Sequence, residues 1–515
     1  MAAIPAQEPT LAKGALGLGG QLFQSITHMA PAAGVIFSAG FMASRGGGAL
    51  ALAWLIATVA CALTAICLVD VVRKVRSAGG YFVIHSVALG HLVGFTTSWL
   101  WFLFEPLVAA GLAMFFGKVL SDFLFSGYGL FIPWWVFAPI MVGLLTYVAY
   151  VGIRQSARLT IILGSIEIVV LLVFAVIWIV GAGANQPVIA FTPAASPALW
   201  GGVFFATIFG ILSFLGFEAG VPLAEESNNA KRSLIISILV STFGIGAFYV
   251  FIGYATVAGF GFTDSATFAK DFSTLNFNAY FQMASVLGVL GPLLMLFVIA
   301  NSAFACSIAA FNAVTRVFYS LGRAGVFPSW LNYINPKTQT PSRAIFLEGG
   351  IAVVFALGLG FIFETGVGDG PINAYGLLGL LWTAALMVVY TMTNLSSFCL
   401  YFFKYRDEFS VPRHLILPIV ASIVMFLPLA AALFPQIVFG ILFNDPTPNA
   451  YPFSLGLPIV VIWTVIGIAV YFYLKATRPH ALDKMANEMA TVELVGEDND
   501  PRARATMKAP SVYTE

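Results

Sequence analysis

Charge is what this chain lacks most. Asp, Glu, Lys and Arg make up 9% of its 515 residues, against about 25% in an ordinary soluble domain. Hydrophobic residues make up 60%, and the mean hydropathy is +0.93. A water-exposed surface cannot be built from such a composition, so the chain reads as an all-α protein embedded in a lipid bilayer. The formal net charge of +1 offers no basic field, and no nucleic-acid partner is expected. Cysteine is scarce as well: Cys61, Cys67, Cys306 and Cys399 all fall within apolar runs, where they read as small core residues and not as disulfide partners. His28, His85, His91, His414 and His480 are scattered, and no metal-ligand spacing, nucleophile elbow or phosphate loop is present. No metal, no cofactor and no catalytic residue is therefore expected, and an enzyme is the least favoured class. Residues 1–20 carry one basic residue, Lys13, and lead into the first apolar run without a cleavable signal pattern.

What is present is a series of about twelve apolar segments of spanning length. The third (roughly 81–118) and the eighth (roughly 279–318) exceed the length of about 20 residues that a bilayer needs, which implies tilt or extension. Of the 24 Lys and Arg residues, only Arg45, Lys118 and Lys270 fall on one side of the resulting topology. The positive-inside rule then places both termini in the cytoplasm, in the plasma membrane of the cell. The divisions expected are a cytoplasmic segment 1–20, spans one to five in 21–181, spans six to ten in 199–405, spans eleven and twelve in 411–475, and a charged cytoplasmic tail 476–515.

Two spans are interrupted. Ile211–Glu226 reads ILSFLGFEAGVPLAEE, with two glycines, a proline and a glutamate inside an apolar run. Ile26–Phe37 reads ITHMAPAAGVIF, and both stretches contain Ala-Gly-Val after a helix-weakening residue. A helix broken at membrane depth must line a cavity or be buried in protein, and paired breaks five spans apart are the pattern of an inverted repeat with its binding site at the crossing. The residues expected to touch a small substrate are Ala30, Ala32, Ala33, Gly34, Glu105, Ser213, Phe214 and Gly216. Charge at mid-membrane is costly and marks function, so Glu105, Glu167 and Glu218 are the candidates for carrying a proton. Phe214, with Phe209 behind it, is the candidate lid. Glu225 and Glu226 oppose the dipole of a helix end and need basic partners. Arg73, Arg76, Arg316 and Arg323 are the candidates, and the pairs would form an inner gate.

Four stretches carry a family resemblance. Gly216–Ile238 (GFEAGVPLAEESNNAKRSLIISI), Ser77–Ile84 (SAGGYFVI), Phe311–Ile345 and Gly152–Leu172 together resemble the amino acid–polyamine–organocation transporters, of the bacterial amino acid permease type. The resemblance implies a leucine-transporter-type 5+5 inverted repeat with discontinuous helices 1 and 6. It implies import of an amino acid or related small amine by alternating access, and the three intramembrane carboxylates without a dedicated counter-cation point to proton coupling. A Na⁺-coupled carrier, an exchanger, and a receptor on the same scaffold are the alternatives. Two departures stand out. Members that bind amino acid carboxylates usually have Gly-x-Gly at the first break, whereas here the run is MAPAAGV and Pro31 removes a donor. Some proton-coupled members place a lysine in the fifth span where this chain has Glu167.

Overall fold

The computed structural model describes residues 10–366, 369–444 and 453–485. The expected segment 1–20 and tail 476–515 therefore lie partly outside the described residues. Nineteen α-helices follow one another: α1 (Leu18–His28), α2 (Pro31–Gly46), α3 (Leu50–Val72), α4 (Tyr81–Leu89), α5 (His91–Trp99), α6 (Glu105–Tyr128), α7 (Trp134–Val151), α8 (Ile153–Ala182), α9 (Leu199–Leu212), α10 (Ala230–Phe260), α11 (Ser265–Leu275), α12 (Asn278–Ala284), α13 (Leu290–Ala324), α14 (Ser342–Ile362), α15 (Gly370–Cys399), α16 (Leu417–Leu433), α17 (Pro435–Phe443), α18 (Gly456–Thr477) and α19 (Pro479–Asp483). Among the described residues, eleven stretches are long and apolar enough to cross a membrane. The shorter apolar α9 completes the twelve segments seen in the sequence. The protein is an all-α, multi-pass membrane protein.

Both interruptions occur where the residues require them. Pro31 cannot donate to a preceding carbonyl, and α1 and α2 part at Ala30, which takes the left-handed conformation with φ 50. Gly216, with φ 112, sits in an eight-residue irregular stretch between α9 and the 3-10 turn Val221–Glu226. The two long spans are corrected. Residues 81–89 are not part of the third span: α4 folds back on α5 at Gly90 (φ 85), and Gly94 packs against the Ser86 backbone so closely that a Cβ there would overlap it. The third span is His91–Tyr128, with a 3-10 segment at Leu100–Leu103 and a fresh helix start at Glu105. Pro106 forces that restart, because it has no N–H for the preceding turn. The eighth span likewise begins at Leu290, with α12 a separate short helix.

Both described ends of the chain lie at the same end of the bundle. Leu16 makes an isolated parallel bridge with Ser227 beyond the Val221–Glu226 turn, and Arg478 donates to the Gly325 carbonyl just past α13 at 3.2 Å. Arg73, Lys74, Arg316 and Arg323 also belong to this end, called the basic end below.

Candidate functional site

The two breaks meet in the centre of the bundle. The Ser213 hydroxyl donates to the Gly34 carbonyl at 3.2 Å. The Tyr249 hydroxyl, from α10, reaches the carbonyls of both Met29 and Ser213, the latter at 2.7 Å. One phenol thus ties the end of α1 to the end of α9. A Cβ on Gly34 would come within 2.8 Å of that hydroxyl, so glycine is required there by protein packing as much as by any ligand. Gly216 is doubly constrained, by its positive φ and by the His28 ring, which a Cβ would overlap.

Two cavities flank this junction. One, toward the basic end, is lined by Gly79, Gly80, Tyr81, Glu105, Gly216 and Glu218, among others. The other is lined by Ala30, Ala33, Gly34, Ser38, Ser213, Cys306, Tyr375 and Trp382, with His28 at its edge. The His28 ring stands between them. Its Nε2 is 3.5 Å from Glu105 Oε1, and neither ring nitrogen has a hydrogen-bond partner. Ala30, Ala33, Gly34 and Ser213 thus fall on one cavity, Glu105 and Gly216 on the other. Ala32 faces elsewhere: its N–H donates to Glu167 Oε2 at 3.4 Å.

The three carboxylates differ in setting. Glu105 opens α6 and faces His28. Glu218 accepts from the Tyr390 hydroxyl at 2.9 Å and from the Gly216 N–H at 3.3 Å, so it braces the irregular stretch while also lining the cavity. Glu167, fully buried, lies at the start of α2 with Oε1 unpartnered. A fourth, Glu348 in α14, is 1% exposed with both oxygens unpartnered. In the sequence it stands as a lone acid within an apolar run, and that is the signal that marks it.

The candidate lid sits elsewhere than expected. Phe214 is fully buried and packs edge-on against Tyr249, ring centroids 5.4 Å apart. Phe209 stacks on Phe41 at 5.4 Å. The aromatics that line the second cavity are Tyr375 and Trp382, and beyond them Phe37, Phe115 and Tyr375 form a cluster with centroids 3.9, 4.7 and 5.5 Å apart. Phe214 is taken inward because the irregular stretch turns its side chain to the α10 face, where Tyr249 covers it.

At the basic end the acidic pair finds α13. Glu226 and Arg316 are both fully buried, with Arg316 Nε 2.8 Å from Glu226 Oε2 and Nη2 3.2 Å from Oε1. Glu225 pairs with Arg323 at 2.5 Å. Arg316 and Arg323 are thus the partners shown, while Arg76 directs its Nη1 to the carbonyls of Val72 and Arg73 at 3.4 and 3.3 Å. Arg73 sits half-buried at the end of α3. The backbone N–H of Leu16 donates to the Glu226 carbonyl at 2.9 Å, and Asn228 N–H to the Leu16 carbonyl at 2.7 Å. Gln21 of α1 adds two bonds from Nε2, to the Gly220 carbonyl at 3.2 Å and the Ser227 hydroxyl at 3.0 Å.

A family model described as amino acid permease matches residues 20–483. The chain belongs to the amino acid permease family. Among the permease's relatives, the low-affinity putrescine importer PlaP of Escherichia coli (strain K12) is 26% identical over 440 residues, covering 83% of this chain and 86% of the relative. The branched-chain amino acid permease BcaP of Bacillus subtilis (strain 168) is 23% identical over 346 residues, covering 62% and 70%. The cationic amino acid transporter 3, mitochondrial, of Arabidopsis thaliana is 24% identical over 415 residues, covering 74% and 62%. The match of the family model spans all twelve segments and both breaks, so the resemblance carried by the four sequence stretches holds for the permease as a whole.

Proposed function

We propose that this permease imports a small amine or amino acid across the plasma membrane by alternating access, with both termini cytoplasmic and a proton as the coupling ion. The observation that carries the reading is the junction of two helix breaks with a cavity on each side and acidic residues lining one of them. Membrane carriers hold their substrates where discontinuous helices cross. The relatives named as importers and transporters of putrescine and amino acids support the same class. The inverted repeat is part of the proposal, since the breaks fall in the first and sixth spans. Glu105, Glu167 and Glu218 are proposed as proton carriers, because they are buried at mid-bundle without a Lys or Arg pairing among the described contacts. The ion pairs Glu226–Arg316 and Glu225–Arg323 are proposed as the inner gate, and Tyr375 with Trp382 as the covering aromatics.

Uptake of radiolabelled amines and amino acids into liposomes holding the purified permease tests this. Uptake is expected to accelerate under an inwardly directed proton gradient and to be indifferent to a Na⁺ gradient. Acceleration by Na⁺ alone would replace proton with sodium coupling, and uptake only against preloaded substrate would make the permease an exchanger.

A further inference from the structure

The first turn of α2 is where a carboxylate would dock, because the free N–H groups of a half-helix start attract anions. Here they are taken. Pro31 has no N–H. Ala32 N–H donates to Glu167 Oε2 at 3.4 Å, Ala33 N–H to the Ser302 hydroxyl at 3.0 Å, and Gly34 N–H to the Ala30 carbonyl at 2.6 Å. The anion seat is filled by an acid of the chain itself, delivered from α8. The second break repeats the arrangement: Gly216 N–H donates to Glu218 Oε2.

What the junction offers is acceptors. Glu105 and Glu218 line one cavity, and neither cavity lining contains a Lys or Arg among the described residues. Among the described residues the basic side chain facing Glu105 is His28, fully enclosed with both ring nitrogens unpartnered by hydrogen bonds. The second cavity is lined by Tyr375 and Trp382, ring types whose faces attract cations. A substrate carboxylate entering this site would meet Glu105 and Glu218 and no free helix-start donor on α2. A buried anion without partners is strongly disfavoured, whereas an ammonium finds partners already in place.

We infer that the site takes an organic cation carrying no carboxylate, an alkyl amine or diamine, and that Glu167 sets this preference by occupying the anion seat at the start of α2. The inference rests on the carrier reading above and narrows its substrate class.

Matched pairs that differ by one carboxylate test it: putrescine against ornithine, cadaverine against lysine, agmatine against arginine. In liposomes holding the intact permease, the decarboxylated member of at least one pair is expected to be taken up, and to compete, at least about tenfold better. Because Glu167 is also proposed as a proton carrier, its variants are read by equilibrium competition binding to the purified permease and not by uptake. Glu167→Ala opens the seat and is expected to narrow the binding ratio about tenfold, by gain of the carboxylated member. Glu167→Gln still offers Ala32 an oxygen and is expected to narrow it less. A merely structural Glu167 would lower both members equally and leave the ratio unmoved, which overturns its assignment as the specificity residue. Wild-type preference for the carboxylated member, or for neutral amino acids, overturns the inference while the carrier reading stands. Uptake of no amine and no amino acid by folded protein overturns the carrier reading, and this inference with it. Should Glu167→Ala fail to fold, the wild-type ratios and the Glu167→Gln ratio decide.

Discussion

On one side of the helix breaks Phe37, Phe115 and Tyr375 cluster; on the other lie Arg316, Glu226 and the turn that carries Glu226. The aromatic closure is non-directional. Rings can slide or rotate past one another, and each pair adds about 0.5–1.5 kcal/mol beyond its buried area. The ionic closure has fixed geometry, two hydrogen bonds between a guanidinium and a carboxylate out of reach of water. Such a pair adds little net stability but is costly to break, because the partner left behind is an uncompensated buried charge. The aromatic end is thus suited to yielding gradually, and the ionic end to being either made or unmade.

The comparison is broken most sharply by Arg316→Met. It strands Glu226 and is expected to destabilise the permease by about 3–5 kcal/mol, seen as a large fall in the melting temperature in detergent and a loss of uptake. Adding Glu226→Leu removes the stranded charge, and the double variant is expected to recover the wild-type melting temperature. If uptake stays low in that refolded double variant, the pair serves switching between states, and if it returns, the pair is an ordinary structural tie. Phe115→Leu is the counterpart at the other end. It keeps an apolar but smaller side chain and gives up ring–ring contacts worth about 0.5–1.5 kcal/mol each, so stability should fall, by less than in Arg316→Met. In a Cys306→Ser background, since Cys306 lines the same cavity, the rate at which a cysteine placed at Val108 reacts with a reagent added from the aromatic side should rise. An unchanged rate would mean that the ring cluster does not close that side. Glu225→Gln is the mildest. The Glu225–Arg323 pair is partly exposed, and such pairs contribute about 0–1 kcal/mol. The expected result is a melting temperature within a degree or two of wild type and a modest change in the salt dependence of uptake. A loss as large as that of Arg316→Met would make both pairs one cooperative unit.

The sequence was legible where a single residue decides a local matter. Apolar runs of spanning length announced the twelve segments, Pro31 announced the first break, and Gly216 with Pro222 announced the second. The turn at Gly90 was not legible, because the residues on both sides are as apolar as a span, and only the packing of Gly94 on Ser86 reveals a hairpin. Tyr249 and Tyr390 were missed for a related reason. A tyrosine in an apolar run looks the same whether its hydroxyl reaches the headgroups or a carbonyl in the core, and 17 tyrosines offer many choices. The partners of Glu225 and Glu226 were legible as a type but not as individuals, since several arginines share the basic end. The inward turn of Phe214 depends on backbone angles in an irregular stretch, which no periodicity specifies.

The ties between α1 and the far side of the second break have a mechanical consequence. Leu16 contributes two backbone bonds and Gln21 two side-chain bonds to the stretch Gly220–Asn228. Four attachments at two points, just before α1 and in its first turn, resist twisting as well as separation. α1 and the Val221–Glu226 turn are therefore one lever arm, whose hinges are the residues with positive φ, Ala30 and Gly216. A displacement of that unit at the surface would carry His28 and Glu218 together, and Arg316 on α13 holds it through Glu226.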